Sequence, residues 1–252
     1  MHNNLFTIGP LTVHGYGLMI AIGILVGMAI ADMQAKKYGL RLNDVDNIVY
    51  VALAAGWACA KLTYILVEFK AFLANPLAFI SSSGWVVYGG LIGGILGAYL
   101  YCKAKKLNFM DHFNLIIPQV ALAQAFGRVG CFLAGCCYGI ETDLPIGVVF
   151  PPDSLAIPGV KLFPTQLFSA AGDLLLFLVL KRIFENEKTR NLTGACYLVF
   201  YSIGRFLVEF LRGDAARGSI GILSTSQFIA LFMCAAGILL LVTTRKQKES
   251  IG

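Results

Sequence analysis

Apolar runs of about 20 residues recur along the whole of this 252-residue chain. Each is long enough to cross a hydrocarbon core of about 30 Å. Composition agrees: 58% of the residues are hydrophobic, 13% are charged, and mean hydropathy is +0.75. A soluble domain sits near 45–50% apolar and about 25% charged. The expected fold is an all-α polytopic membrane protein, one transmembrane domain over residues 1–252. The first ten residues, MHNNLFTIGP, carry no basic stretch, so the first run reads as a retained span rather than a cleaved leader.

The expected spans are 14–35, 45–67, 85–102, 112–133, 165–182, 192–212 and 224–244. Basic clusters follow alternate spans: Lys36, Lys37 and Arg41; Lys103, Lys105 and Lys106; Lys181, Arg182, Lys188 and Arg190; Arg245, Lys246 and Lys248. These thirteen face four on the other side, Lys70, Lys161, Arg212 and Arg217. The positive-inside bias then places the N-terminus outside and the C-terminus in the cytoplasm. The same asymmetry accounts for the net charge of +6 without nucleic acid. Residues 68–84, aromatic and leucine-rich around Pro76, read as an amphipathic arm in the outer interface. Residues 134–164, rich in Pro and Gly, read as an ordered outer loop.

Two spans carry arginines. Residues 127–139 are GRVGCFLAGCCYG, with Arg128 inside a span; residues 204–214 are GRFLVEFLRGD, with Arg205, Glu209 and Arg212. A guanidinium in a bilayer costs roughly 3 kcal/mol on insertion scales, and near a helix end it commonly snorkels to the headgroups. Here several polar groups share one depth. Arg128, Arg205, Glu209, Arg212, Lys61, Tyr16 and Tyr88 all fall toward the outer leaflet. Arg205, Glu209 and Arg212 are spaced i, i+4, i+7 on one helix face, and Gln124 lies one turn from Arg128. Glu209 between two arginines orients Arg205 and leaves positive charge for an anion, of which lipid phosphate is the abundant one in a membrane. Arginine suits it, because its planar fork binds two oxygens at once. The alternative for this trio is a structural ion pair. Asp173, mid-span, either pairs with Lys61 or is protonated.

Gly89, Gly90, Gly93 and Gly94 in YGGLIGG (88–94) have small-xxx-small spacing, the pattern of close helix packing. Glycine also admits a lipid headgroup to the backbone. Of seven cysteines, Cys131, Cys136 and Cys137 cluster toward the outer surface. Their C-x4-C-C spacing matches no common zinc site, so neither a metal nor a cofactor is assigned. Walker, Rossmann and serine-hydrolase motifs are missing.

Taken in order, HGYGLM (14–19), YGGLIGG, GRVGCFLAGCCYG, PTQLF (164–168) and GRFLVEFLRGD resemble the signature segments of the prolipoprotein diacylglyceryl transferase family across nearly the whole chain. The resemblance implies a bacterial inner-membrane enzyme without a cofactor. It would move a diacylglyceryl group from phosphatidylglycerol to the lipobox cysteine of a preprolipoprotein. Tyr16, Arg128, Gly139, Arg205 and Glu209 match residues the family needs. The implied catalytic set is Arg128, Arg205, Tyr16 and Tyr88. The implied lipid-binding set is Arg128, Arg205, Glu209, Arg212, Gly89, Gly90, Gly139 and Gln124. Departures lie in the proton-handling half. The family usually has His at Tyr88, Asn at Cys131, Glu at Cys136, and His and Glu at Phe163 and Ser169. The rival expectations are a paralogue for another anionic lipid or acceptor and an anionic-lipid transporter. Against transport stands the lack of inverted repeats.

Overall fold

The computed structural model describes residues 4–8, 11–81, 84–214 and 218–249. Arg217, counted above among the outward basic residues, and Ser82 and Ser83 of the expected arm lie outside the described residues. The chain divides into two compact units, Met1–Ala31 with Phe113–Gly252, and Asp32–His112.

The first unit begins with an antiparallel hairpin, β1 (Asn4–Ile8) and β2 (Leu11–His14), which pairs Phe6 with Val13 and Thr7 with Thr12. Hydropathy does not announce it. Helix α1 (Gly15–Lys37) follows directly. Lys36 and Lys37 occupy its last turn, where cations suit the negative end of the helix dipole.

The second unit holds α2 (Leu42–Val67), α3 (Phe69–Ala74), α4 (Pro76–Ser81) and α5 (Val87–Lys105). The glycine face of α5 lies on α2: a Cβ on Gly90 would meet Gly56 O at 3.2 Å, and one on Gly94 would meet Ala52 O at 3.1 Å. The stretch 68–84 contains the two short helices, broken at Pro76, which cannot donate a backbone hydrogen bond but is well tolerated at a first helical position. Phe79 stacks on Tyr64 at 4.7 Å and meets Phe72 edge-on at 6.0 Å. Apolar rings thus tie the arm to the end of α2.

Helix α6 (Phe109–Ala134) returns the chain to the first unit, with Pro118 inside it. A long segment containing β3 (Val148–Val149) and β4 (Lys161–Leu162) leads to α7 (Thr165–Glu185), α8 (Thr193–Glu209), the hairpin β5 (Ser219–Ile220) and β6 (Leu223–Ser224), and α9 (Thr225–Glu249). Ile117, Ala121 and Leu122 of α6 pack with Leu176, Phe177 and Leu180 of α7 and Tyr197 of α8. The 134–164 segment is ordered by a small core of its own, Phe150, Ala156 and Leu162, against Phe132 and Tyr138.

Among the described residues, α1, α2, α5, α6, α7, α8 and α9 overlap the expected spans in sequence, and four helices are long and apolar enough to cross a membrane: α1, α2, α6 and residues Thr225–Lys246 of α9. The chain is a membrane protein built of helices. One boundary is corrected. The expected sixth span ran to 212, but α8 stops at Glu209. Arg212 is therefore not on the α8 face at i+7. It follows a turn and pairs as an isolated antiparallel bridge with Gly139, because the backbone at 211–213 is drawn into hydrogen bonds with 138–140.

Candidate active site

Helix α6 ends on a left-handed residue. Gly135 adopts φ +74° and donates its N–H to Phe132 O at 3.3 Å, while Cys136 N–H reaches Cys131 O at 3.1 Å. This pair of bonds is a Schellman closure, which commonly brings together the side chains at the two ends of its longer bond. Those side chains are thiols, Cys131 and Cys136. Cys137 is also left-handed, at φ +57°, a region uncommon for a residue bearing Cβ. The three Sγ atoms lie within 4.8 Å of one another. The start of α7 holds this turn. Thr165 Oγ1 donates to Cys137 O and Gln166 Nε2 to Cys136 O, each at 2.8 Å.

A few residues on, three distant segments cross at Gly139. Its N–H donates to Phe163 O at 2.9 Å, Ile140 N–H to Leu211 O at 3.0 Å, and Gly213 N–H to Tyr138 O at 3.1 Å. A Cβ on Gly139 would stand 2.6 Å from Phe163 O and 2.8 Å from Leu211 O. Only glycine fits without moving backbone. The crossing sets the place of Arg212.

Arg128, Arg205 and Arg212 line one cavity of about 350 Å³. Thr165, Ser169 and Asp173 of α7 border it, as do Leu175, Leu176 and Val179 further along the same helix. From Thr165 to Val179 it runs about 21 Å at 1.5 Å per residue. Its far part is apolar, and Leu175, Val179 and Phe200 are exposed on the flanks of α7 and α8.

Each guanidinium has a carboxylate. Arg205 Nη1 is bonded to Glu209, whose side chain is 1% exposed, and Arg205 Nη2 donates to Ser226 Oγ at 2.7 Å. Arg212 forks onto Asp214, its Nε donating to Oδ1 at 2.8 Å and its Nη2 to Oδ2. Arg212 Nη1 also stands 4.0 Å from Glu209. Arg128 Nε is 3.9 Å from Asp173 Oδ2, too far for a hydrogen bond. Among the described residues, Arg128 makes no hydrogen bond to protein through its guanidinium, although its side chain is 23% exposed within the cavity. With Glu209, Asp173 and Asp214, each of the three guanidiniums has a carboxyl group within 4.0 Å. What Arg128 keeps for a ligand is its donors.

Tyr16 opens α1, 42% exposed, and its backbone packs on Gly130 of α6. Gln124 accepts a hydrogen bond from Tyr197 Oη at 3.1 Å and does not line the cavity. Ser169 Oγ donates to Thr165 O at 2.8 Å, and Phe163 stacks on Phe168 at 4.9 Å. Tyr88, Gly89 and Gly90 belong to the second unit. Tyr88 is 42% exposed, and Gly89 and Gly90 are taken up by contact with Cys59, Thr63, Gly56 and Ala60 of α2. In the same unit, Lys61 Nζ donates to Gly84 O at 3.4 Å and stands 4.9 Å from the Trp85 ring. Asp173 faces Arg128 instead. The roles of Thr165, Gln166, Asp214 and Ser226 were not foreseen. Asp214 carried a local signal, lying two residues from Arg212; Ser226 carried none.

A family model described as prolipoprotein diacylglyceryl transferase matches residues 3–243. A phosphatidylglycerol–prolipoprotein diacylglyceryl transferase of Clostridium tetani (strain Massachusetts / E88) is 42% identical over 246 residues, covering 97% of this chain and 98% of that one. A relative named phosphatidylglycerol–prolipoprotein diacylglyceryl transferase 2 in Clostridium perfringens (strain 13 / Type A) is 43% identical over 232 residues, covering 91% and 90%. One from Clostridioides difficile (strain 630) is 34% identical over 249 residues, covering 98% and 97%.

Proposed function

The chain belongs to the prolipoprotein diacylglyceryl transferase family, and from that membership we infer that it transfers a diacylglyceryl group from phosphatidylglycerol to the cysteine thiol of a prolipoprotein. The observation that carries this reading is the cavity along α7 and α8. It is lined by three arginines and by an apolar wall of Leu175, Leu176, Val179 and Phe200, the mix of polarity a phospholipid presents.

In this reading the phosphodiester lies against Arg128, which has donors to spare, and against Arg205, which Glu209 and Ser226 hold in place. Arg212, fixed by Asp214 and the Gly139 crossing, borders the same headgroup. The acceptor sulfur attacks the glyceryl CH2 carbon. A C–S bond forms as the C–O bond to phosphate breaks, and the electron pair departs on the phosphate oxygen. Thiolate and diester, each carrying one negative charge, become a neutral thioether and a doubly charged glycerol phosphate. Charge therefore gathers on the phosphate in the transition state. Donors already aimed there supply what is usually the largest catalytic contribution. Tyr16 and Tyr88 are the proposed hydroxyl donors to headgroup or thiol. The chain crosses the bacterial cytoplasmic membrane seven times with its N-terminus outside, supported by the thirteen-to-four basic asymmetry, and the reaction proceeds in the outer leaflet.

The test is purified protein in detergent with phosphatidylglycerol and a lipobox peptide, read by mass spectrometry. The peptide should gain one diacylglyceryl mass as glycerol phosphate appears. An unmodified peptide, with intact lipid and folded protein, overturns the reading.

A further inference from the structure

The acceptor thiol must be deprotonated in a cavity crowded with groups that bind phosphate. No histidine lines it among the described residues. Its carboxylate, Asp173, faces Arg128, while Glu209 and Asp214 are bonded to Arg205 and Arg212. Yet the thiolate, not the thiol, is the nucleophile in such chemistry, and an unperturbed thiol titrates near pH 8.5.

Cys137 lines the same cavity. Its sulfur and those of Cys131 and Cys136 are free thiols within 4.8 Å of one another. The cluster is built by backbone: the Schellman closure joins Cys131 to Cys136, and Thr165 and Gln166 anchor the carbonyls of Cys137 and Cys136. Three thiolates on Zn2+ at about 2.3 Å hold their sulfurs about 3.8–4.0 Å apart, so the cluster closes on an ion by contracting about 1 Å at most. Three thiolates and a dication sum to one negative charge, and Arg128 and Arg212 line the same cavity as Cys137. Catalytic zinc sites characteristically have three protein ligands and one open position.

We propose that Cys131, Cys136 and Cys137 bind one zinc-class cation whose fourth position takes the acceptor cysteine thiol. This deepens the transfer reading above and rests on it. A thiol that coordinates such an ion is deprotonated outright, and metal coordination is one of the ways a nucleophile is activated. On binding, the acceptor S–H gives its proton to water. The coordinated sulfur then forms the C–S bond as the glyceryl C–O bond breaks and the electron pair leaves on phosphate oxygen. One proton and one glycerol phosphate are released, and nothing is oxidised or reduced. Deprotonation of the acceptor then does not depend on a side-chain base such as Asp173.

The test uses the full chain in detergent, reduced and stripped with chelator, then titrated with Cd2+. The thiolate-to-cadmium charge-transfer band should saturate at one ion per chain and vanish in the triple variant C131S/C136S/C137S. Adding a lipobox peptide should raise the band by the contribution of a fourth thiolate; the same peptide with serine for cysteine should not. Chelating the unmutated protein should slow transfer ~10²-fold or more, the scale of lost acid–base catalysis. Zn2+ should restore it, with phosphatidylglycerol binding unchanged throughout. Absence of the band while all three thiols remain titratable overturns the metal site. A band indifferent to the peptide, or transfer indifferent to chelation, overturns the role in activating the acceptor. A band that responds to the peptide, in protein that never transfers, supports the thiol site and overturns the transfer reading instead.

Discussion

Replacing Arg128 by lysine separates charge from fork at the phosphate. The guanidinium of Arg128 has no hydrogen bond to protein among the described residues and stands 3.9 Å from Asp173, so its donors are available to a ligand. A bidentate grip uses two, and a hydrogen bond to a charged group is worth about 1.5–3 kcal/mol. Lysine retains the charge but not the planar pair, and losing one such bond slows transfer by ~10–10²-fold at 1.36 kcal/mol per decade. Arg128→Ala loses both, for ~10²–10⁴-fold by the same conversion. It also strips Asp173 of its cation, so Arg128→Ala/Asp173→Asn is the companion that separates folding from function. The assay is initial transfer rate over a range of phosphatidylglycerol, resolved into kcat and KM. Donors that tighten on the departing phosphate depress kcat rather than raise KM. Arg128→Lys at the unmutated rate would refute the bidentate grip. Arg128→Ala within about threefold of the unmutated rate, with Arg205→Ala inactive, would move the phosphate to Arg205 and leave Arg128 a partner of Asp173 alone.

Glu209→Gln keeps the shape that holds Arg205 and should retain more activity than Arg205→Ala; an inactive Glu209→Gln protein that still binds phosphatidylglycerol would make Glu209 a proton carrier. Gly139→Ala should lower the thermal midpoint in detergent, at a cost of about 1–3 kcal/mol for overpacking against backbone, and reduce transfer through Arg212; an unchanged midpoint would show that the 139–163–211 crossing yields. Tyr88→Phe should slow transfer less than tenfold if, as proposed, two guanidiniums serve the phosphate; complete loss with lipid binding intact would assign Tyr88 proton chemistry. Reporter fusions after Lys106 and after Arg190 should both report cytoplasm, and a periplasmic signal from either would break the topology.

Helix positions were legible because crossing a bilayer imposes a length and polarity that hydropathy reads directly. Arg205 and Glu209 were legible as a pair because they are one turn apart. The ion pair of Arg128 with Asp173 was not, since 45 residues and two helix ends intervene and periodicity does not say which helices meet. Ser226 reaches Arg205 across a segment that includes the short hairpin of β5 and β6. The overrun of the sixth span has a different cause. Phe210 and Leu211 continue the apolar run past Glu209, while the competing hydrogen bonds that end α8 come from Tyr138 and Ile140. The thiol cluster was half-legible. A glycine immediately before the second cysteine of C-x4-C, at the end of an apolar helix, is a Schellman signal, and it implies adjacency where metal-site spacing rules are silent.

The exposed wall of Leu175, Val179 and Phe200 bears on how the enzyme must be measured. A lipid that reaches the arginines by sliding along that wall keeps its acyl chains in hydrocarbon. It avoids a transfer to water that costs about 0.8 kcal/mol per CH2. Substrate supply is then two-dimensional. The rate follows the mole fraction of phosphatidylglycerol in the surrounding micelle or bilayer, not its bulk molarity. Diluting the lipid with inert detergent at constant total phosphatidylglycerol slows turnover, and diluting the whole suspension with buffer does not. A Michaelis constant for this chain belongs in mole per cent of surface.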